Sequence, residues 1–308
     1  MALLFYSEVD DPVAWREALR AHVPDLDFRT YPDFGDARDI DSCLVWKPPA
    51  NLFQQFPNLR AIFSLAAGVD ALLADPTLPD VPICRMVDRS LSFGMGEFVL
   101  AGALHIHRDL HRYRAQQRAE NWHLILPRPP ADTKIGVLGL GEMGQAITTT
   151  LVRHGFSVMG WSRTLKELPS VTCFAGPAGL REMAGQSDIL VCVLPLTAAT
   201  TGLLNAELFN AMPPGSALIQ VGRGPQLVEE DLLGALEGGR LDYAILDVFG
   251  VEPLPKGHVF WQHPKIMITP HAASYSTPQS GSVTVADNLR QLAAGQPLGH
   301  VVDRQRGY

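Results

Sequence analysis

The stretch KIGVLGLGEMGQAITTT (Lys134–Thr150) constrains the fold more than any other part of the chain. Ile135, Val137, Leu138 and Leu140 form an apolar run whose length suits a strand buried on both faces. The run breaks at Gly139, Gly141 and Gly144, and a helical pattern follows as far as Gly155. A G-x-G-x-x-G turn between strand and helix has a mechanical meaning. One glycine permits the tight turn, the next lets a pyrophosphate approach the backbone, and the third lets helix and strand pack closely. The unpaired N–H groups at the helix start then face the phosphates. Gly139, Gly141, Glu142, Met143 and Gly144 are therefore expected to line a dinucleotide site.

The next strand pattern, FSVMGWSRT (Phe156–Thr164), indicates which dinucleotide. About 20 residues past the first glycine, an NAD site usually carries an acid for the ribose 2′-hydroxyl. Here the residues are Ser162 and Arg163, with Lys166 close behind. An acid would repel a 2′-phosphate, whereas a hydroxyl and a guanidinium bind one through charge-assisted hydrogen bonds. NADP(H) is the expected cofactor and NAD(H) the weaker alternative.

With 308 residues, 46% of them hydrophobic, the chain can build two sizeable cores. A net charge of −7 without a basic run argues against nucleic acid or an anionic membrane as partner. The opening MALLFYSEVD meets acids before an apolar signal core could form, and runs such as DILVCVLPL are too short to span a bilayer. Cys43, Cys84, Cys173 and Cys192 are scattered, which predicts buried free thiols, no metal site and a cytoplasmic location.

Strand and helix signals alternate from the start. LLFYSEV and DLDFRTYP read as strands around a helix, DPVAWREALRAH, with Asp11 as N-cap and Pro12 in its first position. SCLVWKPP, a helical NLFQQFPNLR and the strand AIFSLAAGVD follow. Gly94–Trp122 reads as one long helix linking two domains. His105, His107, His111 and His123 lie on or just beyond it, and no H-E-x-x-H supports a metal there. After the glycine turn, strands DILVCVLPLT, SALIQVGRG, LDYAILDVF and KIMITPH enclose helices TTGLLNAELFNAM and VEEDLLGALEGGR, and a tail helix closes the chain. This alternation predicts an α/β protein of two doubly wound, parallel-sheet domains, with a small substrate in the cleft between them. The expected boundaries are 1–96 plus 275–308 for a substrate domain and 97–274 for a Rossmann cofactor domain inserted into it.

Three polar residues directly follow strands in the second half: Arg223 in QVGRG, Glu252 in DVFGVEPLP and His271 in ITPHAAS. Open α/β sheets place ligands at that carboxyl end. Reducing a 2-oxo acid needs a cation to hold the carboxylate and polarise the ketone, ideally a forked guanidinium. It also needs an acid for the developing alkoxide, and a carboxylate beside an imidazole favours its protonated form. Arg223, His271 and Glu252 fit those roles.

These segments, GLGEMG, VGRG before VEEDLLGAL, LDVFGVEPLP and ITPHAAS, resemble the D-isomer-specific 2-hydroxyacid dehydrogenase family over essentially the full length. LVWKPP, SLAAGVD, GWSRT and the Trp122 region resemble its NADPH-dependent glyoxylate/hydroxypyruvate reductase A branch. The resemblance implies a flavodoxin-like substrate domain and a catalytic set of Arg223, Glu252 and His271. It further implies a substrate pocket lined by Trp46, with the carboxylate on the N–H groups of Ala67 and Gly68 and on Arg223, and His271 at the ketone. Leu194, Pro195, Thr200, Val221 and Gly222 would line the cofactor groove, Asp247 would contact the nicotinamide carboxamide, and the protein would be a homodimer through its cofactor domains. Related formate dehydrogenases carry Gln where Glu252 stands, which weighs against that activity. QVGRGPQ departs from the family's usual text by Pro225 after the arginine. The expected activity is NADPH-dependent reduction of glyoxylate and hydroxypyruvate. The alternatives are a bulkier 2-oxo acid such as phenylpyruvate, or a non-catalytic dinucleotide-sensing regulator.

Overall fold

The computed structural model describes residues 1–308 and divides them into two compact units, Met1–Leu91 with Ser276–Tyr308, and Ser92–Tyr275. The second unit is inserted into the first, and the outward crossing lies at Leu91–Ser92, ahead of the expected residue 96.

The first unit begins β1 (Ala2–Tyr6), α1 (Pro12–His22), β2 (Asp27–Thr30), β3 (Ile40–Val45), β4 (Ala61–Ser64), α2 (Asp70–Leu73) and β5 (Ile83–Cys84). All pairings are parallel in the order β2-β1-β3-β4-β5, the 2-1-3-4-5 order of flavodoxin-like sheets. Asp11 caps α1 by accepting from Val13 N at 2.9 Å, and Pro12 supplies a first residue with no N–H to satisfy. That fixes the face on which Trp15 and Leu19 are buried. The helix expected over NLFQQFPNLR is only a short 3-10 turn, Leu52–Gln55. Pro57 explains this: its ring disfavours helical backbone at Phe56, which is extended at φ −111°.

The linking helix α3 (Arg89–His107) is followed by α4 (Leu110–Arg118), so Gly94–Trp122 is two helices and not one. The break is at Asp109, in the left-handed region with φ 55°, a conformation aspartate tolerates better than most residues. The second unit continues β6 (Lys134–Leu138), α5 (Glu142–Arg153), β7 (Ser157–Ser162), β8 (Val171–Ala175), α6 (Gly176–Ala184), β9 (Ile189–Cys192), α7 (Ala206–Ala211), β10 (Ser216–Gln220), α8 (Glu229–Glu237), β11 (Leu241–Leu246) and β12 (Ile266–Ile268). Its strand order, β12-β11-β10-β9-β6-β7-β8, is the Rossmann 3-2-1-4-5-6 order extended by one strand. The helix expected over TTGLLNAELFNAM is confined to α7. Gly202 turns with φ 64°, Asn205 caps Leu208 N, and Met212 before Pro213 is extended.

Successive residues of the buried strands feed opposite layers. Leu138, Leu190, Cys192, Leu218 and Leu246 join α6, α7 and α8 on one face. Val137, Ile189, Val191, Ile219 and Ile245 join α3 and α5 on the other. Each fully buried Leu, Ile or Val contributes about 1.5–3 kcal/mol. The chain returns to the first unit through α9 (Pro278–Ala293), which packs on α1.

Candidate active site

Because all strands of the larger sheet are parallel, their carboxyl ends share one edge. The register aligns Trp161, Leu138, Cys192, Gln220, Leu246 and Ile268 as direct neighbours across β7, β6, β9, β10, β11 and β12. At about 4.8 Å per strand, the row is roughly 24 Å long. The sequence-derived site residues of this unit leave the sheet from this row.

At β6, Gly139 turns with φ 104° and donates to Trp161 O at 2.8 Å. A Cβ on Gly144 would lie 1.8 Å from Gly139 O, so only glycine lets α5 start this close to the strand. A Cβ on Gly141 would meet nothing within 4 Å, which leaves open space beside the first N–H groups of α5, where Glu142 and Met143 stand. A tight turn, a bare approach and a helix start with orphan donors fit a pyrophosphate.

The 2′-phosphate candidates follow β7. Ser162 donates its hydroxyl hydrogen to Thr164 O at 2.8 Å, and Arg163 is exposed. Lys166 is half-buried and donates to Leu140 O at 2.7 Å, which fixes its charge beside the glycine turn.

Past β9, Leu194 is buried, and Thr200 donates to Pro195 O at 2.7 Å. Sequence reasoning missed what holds this loop. Gln226, fully buried, donates to Leu194 O and Pro195 O at 3.0 Å, and its Oε1 accepts from Arg223 N at 2.8 Å. Gln220, also fully buried, donates to Arg223 O at 2.9 Å, and its Oε1 accepts from Gly222 N at 3.3 Å. Two glutamines around Val221–Gly222–Arg223 thus join the groove loop to the arginine backbone. The available signal was polar residues at both ends of QVGRGPQ, where the apolar strand pattern stops.

The guanidinium of Arg223 donates from Nη1 to Gly222 O at 2.8 Å. Gly224 draws this turn against the next strand end, since a Cβ there would lie 1.9 Å from the Phe249 carbonyl. Phe249 N donates to Glu252 Oε1 at 3.1 Å, and Glu252 Oε2 lies 2.9 Å from His271 Nδ1. Glu252 and His271 are therefore in direct contact, and the turn that carries Arg223 lies against the backbone that Glu252 holds. Both side chains of this contact keep solvent access, 24% and 34% exposed for Glu252 and His271.

His271 has φ 54°, an uncommon conformation for a side-chain-bearing residue. Asp247 holds it there. Its backbone carbonyl accepts from His271 N at 2.9 Å. Its buried carboxylate accepts from Thr269 Oγ1 at 2.6 Å, Ala272 N at 2.7 Å and Ala273 N at 3.0 Å. Three of its acceptor positions thus serve the histidine loop, a function the sequence reading did not assign to it.

Trp46, Ala67 and Gly68 belong to the first unit. Trp46 N donates to Tyr6 O at 2.9 Å at the end of β3, and the Lys47 ammonium lies 5.4 Å from its ring centroid. Ala67 and Gly68 stand in the turn between β4 and α2, and neither N–H donates to an acceptor of the chain.

Two histidines of the linking helices have side-chain partners. His107 Nδ1 is 2.9 Å from Thr133 Oγ1, and burial holds its pKa below the ordinary histidine value. His111 Nε2 is 3.0 Å from Asp242, whose carboxyl is held at about 2, mainly by that contact. No group of three or more His, Cys, Asp or Glu side chains is placed to hold a metal ion. Burial pushes the Cys192 and Cys84 thiols up to about 12, which removes them as nucleophiles near neutral pH.

Comparisons with known proteins bear on the family and the fold. The family model described as "D-isomer specific 2-hydroxyacid dehydrogenase, NAD binding domain" matches residues 100–273. Glyoxylate/hydroxypyruvate reductase A of Photorhabdus laumondii is 37% identical over 314 residues, with both chains fully covered. A D-isomer specific 2-hydroxyacid dehydrogenase from Xanthobacter autotrophicus, solved with NADPH and MES, superposes with a TM-score of 0.97. It is 44% identical and covers 100% of this chain and 99% of its own. An NADPH-dependent glyoxylate/hydroxypyruvate reductase from Sinorhizobium meliloti, solved with NADP and sulfate, gives a TM-score of 0.93 at 35% identity, with 100% and 99% coverage. On fold, motifs and full-length similarity together, the chain belongs to the D-isomer-specific 2-hydroxyacid dehydrogenase family.

Proposed function

We propose that this protein is an NADPH-dependent reductase of small 2-oxo acids that converts glyoxylate to glycolate and hydroxypyruvate to glycerate. The observation that carries this reading is the His271–Glu252 contact at 2.9 Å, joined to Arg223 on the sheet edge that also bears the glycine turn. The names of the full-length relatives support the substrate class.

A bound NADPH supplies the hydride; the chain supplies the rest. Gly139, Gly141, Glu142, Met143 and Gly144 take the pyrophosphate, and Ser162, Arg163 and Lys166 the 2′-phosphate. Leu194, Pro195, Thr200, Val221 and Gly222 line the groove. Arg223 holds the substrate carboxylate and polarises the ketone, which a forked cation does better than a point charge. Glu252 accepts the Nδ1 hydrogen of His271 and fixes the ring, so that Nε2 delivers the proton to the substrate oxygen. Asp247 keeps the imidazole in register through the loop backbone and would contact the nicotinamide carboxamide of a bound NADPH. The N–H groups of Ala67 and Gly68 receive the substrate carboxylate, and Trp46 limits the size of the substituent on the ketone carbon.

NADPH oxidation measured in parallel with glyoxylate, hydroxypyruvate and phenylpyruvate tests the reading. The two small acids should exceed phenylpyruvate in kcat/KM by about tenfold or more. Preference for phenylpyruvate would overturn the substrate class, and tight NADPH binding without reduction of any 2-oxo acid would overturn the enzyme. Replacing Arg163 with Asp should lower the preference for NADPH over NADH by about tenfold or more, the loss of one charge-assisted contact plus a repulsion. An unchanged ratio would remove Arg163 from the 2′-phosphate site.

A homodimer is part of the same reading. Trp122, Leu124 and Leu126 are exposed at alternate positions of an extended segment after α4, and Tyr113 pins that segment through both backbone groups of Ile125 at 3.1 Å. An apolar row of this kind suits burial against a second copy. Sedimentation equilibrium should give the dimer mass, and a monomer would refute it. No helix is long and apolar enough to cross a membrane, and all four thiols are unpaired, which supports a cytoplasmic location, testable by cell fractionation.

A further inference from the structure

Two segments carry the chain between its units, through Leu91–Ser92 and through Tyr275–Ser276. In the first unit one buried carboxylate holds both. Asp88, 4% exposed, precedes α3 and accepts from Ser90 N at 2.9 Å and Ser90 Oγ at 2.8 Å, which secures the outward segment. Its Oδ2 also accepts from Ser276 Oγ at 2.5 Å and Ser280 Oγ at 2.7 Å, which secures the returning segment and the first turn of α9. The hydroxyls of Ser90 and Ser280 are themselves 2.7 Å apart.

The surroundings reinforce this knot. Thr284 donates to Val87 O at 2.6 Å, a second tie between α9 and the outward segment. A Cβ on Gly281 would lie 2.8 Å from Ser276 Oγ and 2.7 Å from Trp15, so glycine lets α9 close on the cluster. Two residues upstream of Asp88, Met86 N donates to Ala66 O at 3.0 Å, at the start of the Ala67–Gly68 turn. In the second unit the same two segments again lie side by side, since a Cβ on Gly94 would be 3.0 Å from Ser274 Oγ. There the Asp247 carboxylate grips Ala272 N and Ala273 N. Only Ser274 and Tyr275 separate that grip from Ser276, which Asp88 holds.

We propose that Asp88 is a positioning residue for the reduction. It fastens both crossing segments at one point, so that the segment leading back to His271 starts from a fixed place. A carboxylate suits this because one group accepts from several hydroxyls at once through charge-assisted bonds, and burial makes loss of any one of them costly. Hinge residues sit at element ends, far from the reacting atoms, and their replacement changes kcat and KM together. The proposal rests on the reading of His271 as the proton donor.

The test replaces the partners and leaves Asp88 in place. The double variant Ser276→Ala/Ser280→Ala cuts the returning segment loose while the Asp88–Ser90 cap of α3 remains. For glyoxylate, KM should rise about tenfold and kcat should fall severalfold, with the NADPH Kd within about twofold of wild type. Hydrogen exchange followed by mass spectrometry gives a readout independent of turnover. With NADPH bound, peptides covering 272–281 should exchange faster in the variant, while those covering 86–94 keep the wild-type rate. Wild-type kcat and KM, or wild-type exchange in 272–281, would overturn the proposal, even with a lowered Tm. If the double variant does not fold, Ser276→Ala alone is read by the same criteria. Should the wild-type protein reduce no 2-oxo acid, the functional reading fails, and the exchange comparison decides the role of Asp88 by itself.

Discussion

Replacing His271 with Asn is expected to lower kcat/KM for glyoxylate by about a thousandfold and to leave NADPH affinity within about twofold, because on the proposed reading only the proton donor is lost. Asparagine is the informative choice on conformational grounds. Residue 271 has φ 54°, and Asn tolerates the left-handed region far better than Ala or a branched residue. The backbone bonds from residues 271 to 273 to Asp247 do not involve the imidazole, so the loop keeps its anchor. A fall in activity can then be assigned to chemistry and not to a collapsed turn. Unchanged turnover would mean that the proton comes from elsewhere.

That strained turn also shows where sequence reading reaches and where it stops. The glycine turn and the cap of α1 by Asp11 and Pro12 were legible because each is a local device whose cause lies within a few residues. The breaks of longer patterns were harder. Asp109 ends α3 with neither Gly nor Pro to announce it, and Pro57 acts on Phe56, a residue that otherwise reads as helical. The edge strand β8 went unrecognised because its residues are only partly buried and its apolar pattern is short.

The site divides in the same way. Arg223, Glu252 and His271 lie in the loops that follow β10, β11 and β12, so their shared edge follows from a parallel sheet. Their supports come from distant segments. Gln226 reaches back to the loop after β9, Asp247 forward to the loop after β12, and Gly224 matters because the Phe249 backbone approaches it. None of those contacts leaves a periodic trace. Asp88 is the extreme case, with partners almost two hundred residues away in sequence.

Arg223→Lys is expected to lower kcat/KM for glyoxylate by about a hundredfold to a thousandfold, the range found when one donor aimed at developing oxygen charge is removed. Charge is conserved in this variant, so the loss reports geometry. Arg223 gives one N–H to Gly222 O at 2.8 Å, which helps fix the plane of a guanidinium that carries five N–H donors. A lysine cannot satisfy the Gly222 carbonyl and a forked ligand at once. The defect should appear in KM and kcat together, because the same group holds the ground-state carboxylate and the reacting carbonyl. Gln220 and Gln226 hold residue 223 through its backbone, so the fold around it should persist, with Tm close to wild type. A variant with near-normal kcat/KM would show that a simple positive charge suffices, and the bidentate reading of Arg223 would fall.

The proposed reaction at this sheet edge is reduction of a 2-oxo acid by hydride transfer from NADPH, with His271 as proton donor. It is tested most directly by following the label from NADPH deuterated at C4, prepared separately on each face of the ring, into product with glyoxylate as substrate. Mass spectrometry of the glycolate should find deuterium at C2 from one of the two preparations and none from the other, and His271→Asn should suppress its formation. Glycolate without label from either preparation, or no glycolate at all, would contradict the account.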